Sequence, residues 1–124
     1  MSQIFFQETI YRSPNWGTQP KLLTVFLGLY EVEPFLDRVR DSISVQNWTN
    51  EVQLIVVDNA STFNAFDELF PLVSRLPCEV LWLRNKANYQ ALGSLYASAQ
   101  LIGTPWLTFM HQDDSYFSNF VSAI

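Results

Sequence analysis

Four short runs of the sequence are apolar at nearly every position. They span residues 22–27, 52–57, 80–83 and 106–110, and they are rich in β-branched and aromatic residues. A strand with one solvated face alternates apolar and polar residues, and these runs do not alternate. Each run is therefore predicted to be a strand that is buried on both faces, as in a parallel sheet covered by helices.

The segments between these runs change to the periodicity of a helix, and three helices are predicted there. The apolar positions that define them are, in order, Leu36, Val39 and Ile43; Phe66, Leu69, Phe70 and Val73; and Leu92, Leu95, Tyr96 and Ala99. Pro34 is expected to begin the first helix, which ends near Gln46. Pro71 is expected to split or restart the second, and Gly103 to cap the end of the third.

The elements alternate as strand, helix, strand, helix, strand, helix, strand. That order predicts an α/β fold with an open, mainly parallel, Rossmann-like sheet of about four strands and flanking helices. Residues 1–20 contain the loop formers Pro14, Gly17 and Pro20 and are predicted to be an N-terminal arm, which leaves residues 21–124 as one α/β domain. In such sheets, ligands bind beyond the carboxyl ends of the strands.

Charge and cysteine content exclude several classes of function. The net charge is −5 and the seven Lys and Arg residues are scattered, so nucleic acid binding is not expected. The single Cys78 cannot form an internal disulfide, which favours a reducing compartment and a cytoplasmic location. No run approaches the ~20 apolar residues of a membrane span.

Polar residues follow each predicted strand. The carboxylate of Asp58 could accept a hydrogen bond from a nucleobase N–H, or it could cap the following loop, and the residues alone leave both interpretations open. Asp113 and Asp114 offer the oxygen ligands that Mg²⁺ or Mn²⁺ takes alongside substrate phosphates, or one of them caps a helix that begins near Tyr116. His111, alone at a strand end, is more often a structural residue than a ligand.

The chain resembles the nucleotide-sugar-binding half of a family 2 glycosyltransferase of the GT-A fold. The resemblance runs from about Lys21 to Asp114 and lies in four segments: TVFLGLYEVEPFLDRVRDSISVQNW, EVQLIVVDNAS, RNKANYQALGSLYASA and PWLTFMHQDD. It implies the roles of eight residues. Gly28, Leu29, Tyr30 and Asp58 would hold the nucleotide base. Arg84 and Asn88 would approach the nucleotide or the donor. Asp113 and Asp114 would hold the metal and the diphosphate.

The resemblance also implies a reaction. The donor would be a nucleotide-diphosphate sugar, with a UDP sugar favoured, and the cofactor would be Mg²⁺ or Mn²⁺. In the full-length enzyme the sugar would pass to an acceptor hydroxyl with inversion at the anomeric carbon. The chain departs from the family pattern at three positions: His111 stands where Asp is usual, Glu31 where relatives tend to have Asn, and Gln90 where they tend to have Gly.

Family enzymes continue beyond the acidic motif into a half that binds the acceptor and, in inverting members, supplies the catalytic base. The chain is expected to be truncated before that half, so whether it is itself an enzyme is left open. The alternative interpretation is a non-catalytic nucleotide-binding or protein-interaction module that lost the acceptor half. The exposed edge of a truncated sheet also predicts a homo-oligomer.

Overall fold

The computed structural model of the chain describes residues 6–18, 20–114 and 120–121. These residues form an α/β fold, as predicted. The strands are β1 (Gln7–Arg12), β2 (Leu23–Leu29), β3 (Val52–Asp58), β4 (Glu79–Asn85) and β5 (Trp106–His111). The helices are α1 (Leu36–Ser44), α2 (Ala65–Val73) and α3 (Gln90–Ser98), with short 3-10 helices at Glu33–Phe35 and Ala99–Leu101.

The strands form one sheet in the order β1-β4-β3-β2-β5. The four predicted strands, β2 to β5, pair in parallel, so their carboxyl ends lie along one side of the sheet, which we call the carboxyl edge. Along this edge Asp58 is paired in register with both Leu29 and Arg84, and His111 is paired with Gly28. Among the described residues, no helix is long and apolar enough to cross a membrane.

The sheet contains one strand more than predicted, because part of the segment predicted as an arm forms β1. This strand pairs antiparallel with β4, and its register shifts between Thr9 and Tyr11. Its sequence, QETIYR, lacks a continuous apolar run, and the shift interrupts the alternation that would otherwise mark a strand. Of its side chains, Ile10 and Tyr11 pack half-buried against the larger core, and none is fully buried.

Helices cover the two faces of the sheet unequally. On one face α1 and α2 pack over the larger core, which contains Val25, Leu54 and Trp82. On the other face α3 packs over a smaller core, which contains Ile55 and Leu83. Burial of each large apolar side chain contributes about 1.5–3 kcal/mol relative to exposure, so the larger core supplies most of the hydrophobic stabilisation.

The prediction for α1 is confirmed, because Val39 and Ile43 are buried and Leu36 packs against the larger core. The prediction that Pro71 would split or restart the second helix is wrong, since α2 continues through it. The start of α2 is capped by Asn64, whose side-chain oxygen accepts a hydrogen bond from a backbone N–H (3.2 Å). Packing of its apolar face against the sheet outweighs the ~3 kcal/mol that proline costs in a helix interior.

The third helix was predicted correctly, but its apolar stripe did not identify the buried face. Ser94 and Ser98 are 2% and 0% exposed, whereas Leu92 and Tyr96 are 78% and 70% exposed. Of the stripe, Leu95 packs against the smaller core. The serines are buried because they hydrogen-bond within a polar cluster beneath the helix, described below.

The prediction that Gly103 caps the third helix is wrong. Gly103 does not have the left-handed backbone of such a cap. Instead α3 tightens into the 3-10 helix Ala99–Leu101, and the N–H of Ile102 donates to the Ala99 carbonyl (3.1 Å). The tighter turn satisfies the terminal carbonyl, so no left-handed residue is needed.

The outer strand β5 is poorly protected against self-association. Its side chains Trp106, Leu107 and Phe109 are exposed, and no described residue pairs with its outer side. The opposite edge, β1, carries Glu8 and Arg12 and an irregular register, both of which discourage pairing between edges.

We therefore expect the chain to form dimers or larger oligomers through β5 at micromolar concentration and above. Light scattering over a concentration series would show the mass rise toward twice that of the chain. Leu107→Lys places a charge on the exposed edge and should shift the equilibrium toward monomer. A purely monomeric wild-type protein across the whole series would contradict this expectation.

Candidate functional site

Within the part of the chain that the structure describes, the loops that leave the carboxyl edge hold three non-glycine residues in left-handed backbone conformations. They are Glu31 after β2 (φ 44°), Ala60 after β3 (φ 60°) and Gln90 at the start of α3 (φ 61°). Such conformations cost about 1–3 kcal/mol each and persist where the surrounding structure enforces them, which is common at ligand sites. The three positions concentrate backbone strain along this edge.

Replacing Gln90 with glycine is expected to raise the free energy of unfolding by about 0.5–1 kcal/mol, because glycine adopts the left-handed conformation without steric cost. Urea denaturation would measure the change. The matched control is Gln100→Gly, at a position whose φ is not positive, where the same substitution should lower stability. Equal losses of stability in the two variants would contradict the expected strain.

Asp58 and Arg84 form an ion pair at the ends of β3 and β4. Arg84 Nη1 lies 2.6 Å from Asp58 Oδ2, and Asp58 is 4% exposed. The other carboxylate oxygen, Oδ1, accepts hydrogen bonds from the N–H (3.1 Å) and the hydroxyl (2.5 Å) of Ser61. Arg84 Nη2 donates to the Ser61 carbonyl (2.8 Å). Asp58 therefore makes the loop-capping contact that the sequence left open, and the same carboxylate also pairs with the Arg84 guanidinium.

This ion pair lies in the wall of a cavity of about 380 Å³, which we call the Asp58 cavity. Its other lining residues are Ile10, Ser61, Thr62, Phe63, Asn64, Phe66, Asp67 and Trp82. Aromatic walls beside a charged hydrogen-bonding pair suit a planar, polar ring. Since Phe66 and Trp82 also pack in the larger core, the cavity opens on the face covered by α1 and α2.

Glu31 links the loop after β2 to the loop after β3. Its carboxylate accepts hydrogen bonds of 2.9–3.1 Å from the N–H and hydroxyl of Thr62 and from the N–H of Phe63. These bonds hold the pKa of Glu31 below its usual 4.5, and the largest effects come from the backbone N–H groups of Thr62 and Phe63. The stability that these bonds contribute is fully present when the pH is above the usual pKa of 4.5, and it is lost as the pH falls through the lowered pKa.

A second cavity, of about 440 Å³, lies between α3 and β5, and we call it the Tyr30 cavity. It is lined by the predicted base-binding residues Gly28, Leu29 and Tyr30, together with Phe26, Asn59, Ala91, Leu92, Ser94, Leu95, Phe109, Met110, His111 and Gln112. Phe26 and Leu95 belong to the smaller core, so this cavity opens on the face covered by α3. The predicted base-binding residues are thus divided between two cavities.

Asn88 is held by Asn59, the residue after Asp58. Asn59 Nδ2 donates to Asn88 Oδ1 (2.7 Å), and Asn59 Oδ1 accepts from the N–H of Tyr89 (2.7 Å) and from Asn85 Nδ2 (2.9 Å). Neither Asn59 nor Asn85 is among the site residues predicted from the sequence. Their one signal was their position, as amides at the ends of apolar strands.

The same polar cluster extends beneath α3 to the first strand. Asn85 Nδ2 also donates to Ser94 Oγ (2.7 Å), and its Oδ1 accepts from Gln7 Nε2 (3.0 Å). Gln7 Nε2 donates to Ser98 Oγ as well (2.9 Å). The loop that contains Asn88 is therefore connected to β1 through buried and half-buried hydrogen bonds.

Asp113 and Asp114 are exposed in the turn after β5, and neither lines the Asp58 cavity or the Tyr30 cavity. The Asp113 carbonyl accepts from Arg38 Nη1 (2.6 Å), and the Asp114 N–H donates to the His111 carbonyl (3.2 Å). Two exposed carboxylates are the donor set that Mg²⁺ or Mn²⁺ takes together with phosphates and water. The residues fit such a cation, although within the described ranges no group of three or more His, Cys, Asp or Glu could hold a metal by itself.

Cys78 is not a candidate for chemistry at neutral pH. It is buried beside the start of β4, and burial raises the pKa of its thiol from 9.0 to about 12. The thiol is therefore protonated, whereas a nucleophile or metal ligand needs the thiolate.

Comparison with known proteins supports the fold at a low level of sequence identity. No protein-family model matches the chain, and no curated protein matches it significantly. Among solved structures, Staphylococcus aureus TarS 1–349 in complex with UDP-GlcNAc has a TM-score of 0.65 and 19% identity over 82% of this chain and 29% of that chain. The mannosyltransferase PcManGT from Pyrobaculum calidifontis, in complex with GDP-Man and Mn²⁺, has a TM-score of 0.65 and 16% identity over 89% of this chain and 32% of that chain.

This chain spans about a third of the length of these structures. The resemblance inferred from the sequence is thus confirmed as a likeness of fold to part of a glycosyltransferase.

Proposed function

We propose that this chain is the donor-binding part of a glycosyltransferase, and that its carboxyl edge binds the nucleotide of a nucleotide-diphosphate sugar with Mg²⁺ or Mn²⁺. The observation that carries the proposal is the ion pair of Asp58 and Arg84 in an aromatic-walled cavity at that edge. Solved structures that share the fold contain UDP-GlcNAc in one case and GDP-Man with Mn²⁺ in another.

The ion pair is chemically suited to the edge of a nucleobase. A carboxylate has about four acceptor positions, and Ser61 and Arg84 fill three of those on Asp58. The fourth remains for the ring N–H of uracil or guanine. Arg84 has five N–H donors and is 37% exposed on its side chain, so it can also donate to a base carbonyl. Uracil, with a carbonyl on each side of its N–H, fits this pair and favours a UDP sugar.

The phosphate end of the donor would be held at the turn after β5. A divalent cation bound there by Asp113 and Asp114 would neutralise diphosphate charge and stabilise the nucleotide as a leaving group. The turn is anchored for that task by Arg38, which donates to the Asp113 carbonyl. Transfer to an acceptor hydroxyl with inversion would belong to the full-length enzyme, in which another segment supplies the base.

A second candidate is a non-catalytic binding or interaction module. The observation in its favour is that Asp58 already accepts three hydrogen bonds within the protein, as a purely structural residue would. His111 in place of the usual Asp is consistent with the same interpretation.

Calorimetric titration of the chain with UDP, and separately with GDP, in the presence and absence of Mn²⁺ tests the proposal. Saturable binding that needs the metal supports a donor site, and Asp113→Ala should abolish this metal-dependent binding. The matched control is Asp41→Ala, which deletes an exposed carboxylate on α1 and should bind as wild type does. Failure of both nucleotides to bind at millimolar concentration with Mn²⁺ would overturn the proposal in favour of the second candidate.

A further inference from the structure

Gln112 makes two hydrogen bonds to the backbone of one residue. Its Oε1 accepts from the Tyr30 N–H (2.8 Å), and its Nε2 donates to the Tyr30 carbonyl (2.9 Å). The two residues are 82 positions apart in the chain. Together the bonds satisfy both the N–H and the carbonyl of Tyr30, as a neighbouring strand would.

These bonds lie just beyond the end of a strand ladder. β2 and β5 pair as far as Gly28 and His111, and past this point the two segments continue as loops. The Gln112 side chain continues the connection where the backbone ladder stops. Two bonds from one planar amide fix both the distance and the rotation between the loops, which a single bond would not.

The connection joins the two halves of the proposed donor site. Tyr30 lies in the loop after β2, and the next residue of that loop, Glu31, accepts a hydrogen bond from Thr62 in the wall of the Asp58 cavity. Gln112 directly precedes Asp113 and Asp114. This amide therefore ties the segment that carries the two carboxylates directly to the loop after β2, while Arg38 holds the Asp113 carbonyl from α1.

We propose that Gln112 is a positioning residue, which holds the acidic turn after β5 at a fixed separation from the loop after β2, so that one nucleotide diphosphate can contact both. The inference rests on the proposed function, which it deepens. A ligand that touches both loops gains from their fixed separation, because it does not have to order them on binding. A ligand that touches one loop gains nothing.

The test compares two ligands and two variants. Gln112→Met keeps the length of the side chain and removes both hydrogen bonds, and Gln112→Ala removes the side chain. In either variant the affinity for UDP with Mn²⁺ should fall about tenfold, because the ligand must then order the two loops as it binds. Uridine, which has no diphosphate, should bind as it does to wild type, and the melting temperature without ligand should change by no more than a few degrees.

The matched control is Gln100→Ala, an exposed glutamine outside the site, for which both affinities should equal those of wild type. Equal losses for UDP and uridine would show a general structural role and overturn the inference. Wild-type affinity for UDP in both Gln112 variants would overturn it as well and leave the proposed function intact. If wild type itself fails to bind UDP with Mn²⁺, the proposed function falls, and the inference falls with it.

Discussion

Replacing Glu79 with alanine is expected to lower the free energy of unfolding by about 3–5 kcal/mol, because it leaves a buried charge without its partner. Glu79, the first residue of β4, is fully buried, and its Oε2 lies 3.4 Å from the Nζ of Lys21, whose side chain is 3% exposed. Its Oε1 accepts from Gln53 Nε2 (3.2 Å). The ammonium of Lys21 keeps a hydrogen bond to the Asn50 carbonyl, which is too little to compensate a buried cation.

Urea denaturation followed by tryptophan fluorescence measures this loss. The informative control is the double variant Lys21→Met with Glu79→Leu, which removes both charges and fills the space with apolar groups. Its stability should lie close to that of wild type, because replacement of a buried ion pair by packed apolar residues is often neutral or stabilising. A Glu79→Ala loss below ~1 kcal/mol would show that water reaches Lys21.

Replacing Asp58 with alanine is expected to reduce the affinity for UDP with Mn²⁺ by at least about 100-fold, since a site built to pair a base N–H loses its acceptor and Arg84 loses its ion-pair partner. Asp58→Asn keeps the shape and one acceptor oxygen and should lose affinity less severely. Calorimetry gives the affinities, and melting temperatures show whether the variants remain folded.

Ser61→Ala separates the two interpretations of Asp58. Ser61 contacts Oδ1, the oxygen opposite the one paired with Arg84, so its hydroxyl serves the loop and not the proposed base contact. Nucleotide affinity should therefore survive in Ser61→Ala and be lost in Asp58→Ala. If Asp58 only caps the loop, neither variant will change nucleotide affinity beyond its effect on stability.

β2, β3 and β4 could be predicted because they are buried on both faces, and burial leaves a continuous apolar run. The apolar run of β5 also predicted a strand, but the prediction that this strand is buried on both faces is wrong, since most of its side chains are exposed. β1 could not be predicted, since an edge strand with a register shift carries neither a run nor a clean alternation. The buried face of α3 was hidden for a related reason. Its inward residues are serines, whose polar partners Asn85 and Gln7 lie outside the helix, Gln7 being 91 positions from Ser98.

The candidate site divides in the same way. Parallel strands all end on one side, so Asp58, Arg84 and the acidic turn could be assigned to one edge from the sequence. Which of them touch depends on the order of strands across the sheet. The contact between Asp58 and Arg84 follows from β3 lying beside β4, and that between Tyr30 and Gln112 from β2 lying beside β5. Periodicity contains no information on that order.

The polar cluster beneath α3 has a consequence for how this helix can change over evolution. An apolar interface between a helix and a sheet tolerates sliding and rotation of the helix, because one methyl group replaces another at small cost. Amides and hydroxyls such as Asn85, Ser94 and Ser98 accept only one alignment, since each donor must meet its acceptor. Drift in the sequence of α3 can therefore alter its outward side freely, while its angle to the sheet stays the same.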